Sequence, residues 1–238
     1  MSQSDRYADP EPLVPDWAAP MYLAVSAVAA VFYLGLDLVV SAAPGMAVSK
    51  TLGIALLAAY AAFSRAPLLA LALGLSACGD YALALDPPAR EAGMAFFGTA
   101  HLAYIALFGL AITRFGFRKD GLVLAAAIAA FAAAMFAWLR PGLGELAVPV
   151  SAYLAVIVLM AALAALVNGP RLITVGAVLF VVSDSLIAAG WFRGLEVQLG
   201  RFDLHGAAVW TTYYLAQIGI ALGVVRMKRA ALEGKDAP

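Results

Sequence analysis

Five ionisable side chains stand inside stretches of this sequence that are otherwise apolar: Asp37, Lys50, Asp80, His101 and Asp184. Placing such a group in bilayer hydrocarbon costs about 2.5–3.5 kcal/mol on insertion scales, so each one asks for a partner or a task. Polar side chains accompany them at Tyr104, Tyr153, Ser183, Ser185, Tyr213, Tyr214 and Gln217. Two deep carboxylates, a histidine, a lysine and several phenols make a set suited to proton transfer in a low-dielectric pocket. Such a set serves either a general acid or a step of proton-coupled transport. Helical spacing favours convergence. His101 and Tyr104 are three apart and share a face, and Tyr213 and Tyr214 precede Gln217 by four and three. Ser183 and Ser185 flank Asp184, with hydroxyls free to bond its carboxylate or a nearby carbonyl.

Other chemistries lack their signatures. There is no His-Glu-x-x-His and no cysteine pair, and His205 falls in a connection outside the apolar stretches, so no metal is expected. No Gly-x-Ser-x-Gly elbow supplies a serine nucleophile. Without a glycine-rich phosphate loop or dinucleotide fingerprint, no cofactor is expected either. Cys78 is the single cysteine, which rules out an intrachain disulfide, and a formal net charge of zero gives no reason to expect nucleic acid.

The elements that must position these residues follow from composition. Of 238 residues 64% are hydrophobic and 13% charged, with a mean hydropathy of +0.92. A soluble domain carries roughly 25% charged residues to keep its surface hydrated, so lipid must be the solvent for much of this chain. Apolar stretches fall at about 20–41, 47–63, 67–85, 91–113, 121–139, 146–167, 171–192 and 206–226. Most reach the roughly 20 residues that span a bilayer core. The expected fold is all-α, a polytopic transmembrane bundle of about eight helices with short loops. A polar tail at 1–19 precedes the single transmembrane domain at 20–226, and a second tail follows at 227–238. The N-terminal tail lacks the basic region of a cleavable signal peptide, so the first helix is expected to insert uncleaved.

Basic residues set the expected orientation. With eight spans, the side holding both termini carries ten of them, including Arg65, Arg114, Arg118, Lys119 and Arg171; the other side carries Arg90, Arg140, Arg193 and Arg201. The positive-inside rule then puts both termini in the cytoplasm of a bacterial inner membrane. On that topology the ionisable and polar residues all fall in the half of the bilayer away from the cytoplasm, with His101 and Gln217 near the midplane. The cytoplasmic half is Ala, Leu, Val and Ile, and the pattern implies a polar pocket opening outward. The plainer alternatives are that Lys50 snorkels to the headgroups, that Asp37 is solvated at the interface, that His101 is a packing residue, and that the tyrosines form an interfacial belt. Trp210, nearer its helix end than Tyr213 and Tyr214, suits that belt better. A short echo links Gly79-Asp80 in the third helix with Ser183-Asp184 in the seventh, compatible with a parallel four-helix repeat.

At these same residues the sequence resembles the YhhN-like (lysoplasmalogenase) family. The matching stretches are Ser49-Lys50-Thr51-Leu52, Gly79-Asp80, Ala100-His101-Leu102-Ala103-Tyr104, Gly176 through Ser185, and Thr212-Tyr213-Tyr214-Leu215-Ala216-Gln217, in that order. Thr51 departs from the Lys-Pro that members often carry. The resemblance implies a membrane lipid hydrolase that cleaves the vinyl ether bond of a lysophospholipid, releasing a fatty aldehyde and a glycerophospho-base. Under it, Asp80 and Asp184 supply the acid and a negative charge, in either order, and His101 is a proton shuttle or water base. Lys50 faces the substrate phosphate, and Tyr213, Tyr214 and Gln217, with Tyr104, Tyr153 and Ser183, position the polar part of the lipid. The alkenyl chain lies between helices. The competing readings are a proton-coupled carrier or flippase of a lipidic solute, and a non-catalytic interaction protein. Alternating access asks for polar residues at both depths, which the cytoplasmic half lacks.

Overall fold

The computed structural model describes residues 18–39 and 45–233. Except for Ala18 and Ala19, the expected N-terminal tail lies outside the described residues, as do Lys235 and the end of the C-terminal tail. The described residues form eight α-helices: α1 (Ala18–Val39), α2 (Met46–Phe63), α3 (Pro67–Leu83), α4 (Arg90–Phe115), α5 (Gly121–Leu143), α6 (Ala147–Leu166), α7 (Arg171–Arg193) and α8 (Leu204–Glu233). A single 3-10 turn, Gly144–Leu146, separates α5 from α6. Between α7 and α8 the strands β1 (Gln198–Leu199) and β2 (Phe202–Asp203) form a short antiparallel hairpin.

Six helical stretches are long and apolar enough to cross a membrane. One of them, Gly121–Leu166, is α5 and α6 together; α3, with 17 residues, is apolar but shorter. The chain is an integral membrane protein. Helix ends follow local chemistry. Pro67 opens α3 at a position whose N–H has no intrahelical acceptor. Gly116 (φ 95°) and Gly194 (φ 64°) stop α4 and α7 in backbone conformations that disfavour a side chain. Helix α8 runs on past position 226, where the hydropathy pattern ends, and its added turn is anchored. Lys228 donates from Nζ to the Ser64 carbonyl (3.3 Å) and to the Arg65 carbonyl, placing a cation on the C-terminal end of α2.

Helices α1, α2, α3 and α4 pack each on the next, as do α6, α7 and α8, and contacts of α4 with α6 and of α1 with α8 close them into a ring. Helix α8 lies against α7 on one side and α1, α2 and α3 on the other, while α5 sits outside against α6 and α7. Lipid tails are as apolar as leucine, so contacts between spans depend on close fit rather than on expulsion of water. Gly176 of α7 provides one such fit: a Cβ there would stand 2.7 Å from the Ala216 carbonyl and 2.9 Å from the Ile220 nitrogen of α8. The interior is filled by Ile54, Leu57, Leu73, Phe108, Met160 and Phe180, all fully buried, whereas Val28, Val31, Val123 and Val148 are exposed on the outside. At the end of the bundle holding the α4–α5 connection, Arg118 donates from Nη2 to the Ala165 carbonyl (3.2 Å) and the Thr174 hydroxyl (2.9 Å). Basic residues at this end therefore fasten helix termini, and the buried carboxylates gather at the other end.

Candidate active site

A cavity of about 540 Å³ opens at the end of the bundle formed by the last turns of α1, α3 and α7 and the first turns of α2, α4 and α8. Asp37, Lys50, Asp80, Ser183, Asp184 and Tyr213 all line it. These residues come from five helices, and neighbouring antiparallel helices deliver them to one level because the acids end the odd helices while Lys50 and Tyr213 begin even ones. The echo between α3 and α7 has a spatial counterpart, since each presents its aspartate to this one cavity.

Each deep aspartate is held by a tyrosine from another helix. Asp80, 1% exposed, accepts at Oδ2 from the Tyr213 hydroxyl at 2.6 Å. Asp184 accepts at Oδ2 from the Tyr153 hydroxyl at 2.5 Å. Behind the second pair stands His101, fully buried, with Nε2 3.2 Å from the Tyr153 oxygen and 3.6 Å from Asp184 Oδ2. A tyrosine has a single proton, and Tyr153 gives its proton to Asp184. Its oxygen therefore accepts from the His101 Nε2–H. His101 Nδ1 has no hydrogen-bond partner among the described residues. His101, Tyr153 and Asp184 thus form a continuous line of hydrogen bonds.

Lys50 lies over the rings of Tyr33 and Trp210, at 5.7 Å and 6.0 Å from their centroids, and its charge bears on both Asp80 and Asp37. Asp37, half-buried, accepts from the Tyr33 hydroxyl at 3.0 Å. Nearer the opening, Asp203 Oδ1 accepts from the Gly206 backbone N–H at 3.0 Å. A Cβ on Gly206 would meet Asp203 Oδ2 at 2.6 Å and Asp37 Oδ2 at 3.0 Å, so only glycine lets both carboxylates crowd this point. Arg90, stacked on Trp191 at 5.2 Å, Glu196 and His205 complete the mouth.

The remaining candidates from the sequence, of which Ser183 lines the cavity, make contacts other than with the two deep acids. Tyr104 and Gln217 pair with each other beneath the cavity, hydroxyl to Oε1 at 2.5 Å, and both are fully buried. Phe180 stacks edge-on against His101, Tyr104 and Tyr213 and forms the hub between that pair and the acids. Ser183 donates to the Val209 carbonyl at 3.1 Å and Ser185 to the Val181 carbonyl at 2.7 Å, so both hydroxyls serve backbone. Tyr214 turns away, its hydroxyl 2.8 Å from that of Ser26, which itself bonds the Gly53 carbonyl at 2.7 Å. Adjacent residues on a helix point about 100° apart, so Tyr213 and Tyr214 cannot both face the acids.

Two expectations need correction. Trp210 is no belt residue: it is 3% exposed, lines the cavity and donates from Nε1 to the Ala30 carbonyl at 2.9 Å. His205 is not merely a solvated loop residue, because α8 starts at Leu204 and His205 lines the mouth. Tyr33 was also missed, although its position four residues before Asp37 is the spacing of facing side chains on a helix.

A polytopic membrane protein with two tyrosine-bonded aspartates on one cavity at one end of its bundle defines the class. The YhhN family model matches residues 45–224, and the chain belongs to that family. It is 35% identical over 162 residues to a protein of Mycobacterium bovis named lysoplasmalogenase, and equally to one of that name from Mycobacterium tuberculosis. The aligned region is 64% of this chain and spans 58% of the length of each of those relatives. No solved structure matches the chain.

Proposed function

We propose that the protein is a membrane lipid hydrolase that cleaves the vinyl ether bond of lysoplasmalogens, as the names of its mycobacterial relatives suggest. The observation that carries this reading is the pair of tyrosine-bound aspartates on one cavity that Lys50 also lines, one of them with His101 hydrogen-bonded behind its tyrosine. A vinyl ether is hydrolysed by protonating its outer alkene carbon, which leaves an oxocarbenium ion at the carbon bonded to oxygen. Water adds to that carbon and loses a proton, and the resulting hemiacetal breaks into a fatty aldehyde and the glycerol hydroxyl. The reaction needs an acid that can be recharged and a negative charge near the cation.

Asp184 takes the role of acid, and the proton that the added water loses restores it through the relay: His101 takes up a proton at Nδ1 as its Nε2–H passes through Tyr153 to Asp184. Asp80, bonded by Tyr213 and set near Lys50, holds the negative charge beside the oxocarbenium ion. Lys50 also meets the substrate phosphate as the lipid enters from the mouth, and Ser183 contributes to the cavity wall. Tyr104 and Gln217 act from below by fixing the aromatic floor rather than by touching the lipid. Both termini lie in the cytoplasm of a bacterial inner membrane, a placement supported by the concentration of basic residues at the far end from the cavity. The cavity then draws on the outer leaflet.

The purified protein in detergent should release aldehyde from 1-alkenyl-glycero-3-phosphoethanolamine and none from its saturated 1-alkyl ether analogue, which cannot be protonated in this way. Folded protein that releases no aldehyde from the vinyl ether would overturn the proposal.

A further inference from the structure

A second, apolar pocket adjoins the polar cavity. It lies among α4, α5, α6 and α7, and its walls include Met94, Phe131, Met135, Leu154 and Ile157. Within this hydrocarbon lining stands one carboxylate, Asp184. The two spaces share the wall formed by Leu83, Phe97, Asp184, Ile187 and Trp191. Asp184 thus marks the line where the protein changes from polar to apolar.

We propose that this pocket seats the hydrocarbon chain of the lipid, with its first carbons against Asp184; the inference rests on the hydrolase reading above. In a lyso-alkenyl lipid the boundary between head and chain is the vinyl ether itself. Matching the boundary of the substrate to that of the protein sets the scissile bond beside Asp184, with glycerol and phosphate in the charged cavity and methylenes among Met135, Phe131 and Ile157. The other apolar recess, a groove on α2, α3 and α4 lined by Thr51, Ala77, Cys78 and Phe96, has no wall in common with the polar cavity. A chain lying there could not bring its head to the acids. The lateral pocket is therefore the specificity-determining element for chain length, and Ala132 and Ala188 are the small residues that keep it open.

Two measurements test this. Ala132→Phe, or Ala188→Leu should the first variant fail to fold, is assayed with hexadecenyl and butenyl forms of the substrate. A partly filled apolar pocket discriminates by roughly 10- to 200-fold, so the long-to-short ratio of kcat/KM should fall at least about tenfold. An unchanged ratio in folded protein would overturn the proposal. Independently of turnover, a 1-alkenyl-glycero-3-phosphoethanolamine carrying a diazirine midway along its chain is photolysed with the protein, and the labelled residues are mapped by mass spectrometry. Labels on Met135 or Ile157 support the chain site; labels confined to the α2–α4 groove, to exposed Phe131 or to the lipid-facing valines refute it. Labelling of the lateral pocket by a protein that releases no aldehyde would leave the chain site standing and remove the hydrolase reading alone.

Discussion

Tyr153→Phe is the most searching single substitution, because it deletes one oxygen and keeps the ring that stacks on His101 at 5.5 Å between centroids. Among the described residues that oxygen is the only link of hydrogen-bond length between His101 and Asp184, whose direct separation is 3.6 Å. Hydrogen bonds to a charged or charge-developing group contribute about 1.5–3 kcal/mol, which corresponds to a roughly 10- to 150-fold loss of rate. The loss should fall on kcat, since the deleted oxygen recharges the acid while the ring, which lines the apolar pocket, is kept; KM should stay within about twofold. Aldehyde release coupled to an alcohol dehydrogenase, followed by absorbance of its nicotinamide cofactor, separates the two constants. A folded Tyr153→Phe protein with normal kcat, or one whose only defect is a raised KM, would refute the proton path and reduce Tyr153 to a wall residue.

Other substitutions should sort the cavity from its surroundings. Lys50→Met should lower kcat/KM by about tenfold or more, mainly through KM for a phosphate-bearing substrate, whereas Lys50→Arg should recover much of it; steady-state kinetics of both variants decide. Tyr214→Phe should leave kcat within about threefold and cost about 0.5–1.5 kcal/mol of stability, because its hydroxyl bonds Ser26 on the side away from the acids; thermal unfolding beside the activity assay checks both halves. Gly176→Val should lower Tm by forcing α7 from α8, at a cost of about 1–3 kcal/mol typical of overpacking, and equal thermal stability would contradict the close packing at that seam.

The sequence discloses the membrane helices and the acids for the same reason: hydrocarbon tolerates few ionisable groups, so both the long apolar runs and their exceptions stand out. Asp80 and Asp184 lie toward the C-terminal ends of odd helices and Lys50 near the start of an even one, and antiparallel packing of neighbours brings such positions to one end of the bundle. Depth is thus legible along the chain, but direction around each helix is less so. Tyr213 and Tyr214 are adjacent and chemically alike, and only the packing of α8 against α1, α3 and α7 turns one to Asp80 and the other to Ser26. Trp210 was misread because nearness to a helix end resembles an interfacial anchor, while its bond to the Ala30 carbonyl requires α1 to be beside α8. The mouth was hidden for a different reason. Glu196, Gln198, Asp203 and His205 belong to or border the α7–α8 connection, whose short hairpin folds back over the cavity, and hydropathy carries no information on where a polar connection lies. The lateral pocket left no trace either, since its residues are those of any packed interior.

The central claim is that two carboxylates perform the chemistry, and isosteric removal tests it most directly. Asp80→Asn and Asp184→Asn keep the size of each side chain and an oxygen able to accept from its tyrosine, so thermal unfolding and detergent-solubilised yield should change little. Aldehyde release should fall at least about a hundredfold in each variant, the usual consequence of losing a general acid or a charge that stabilises the transition state. Parent-like turnover in both folded variants would contradict the account.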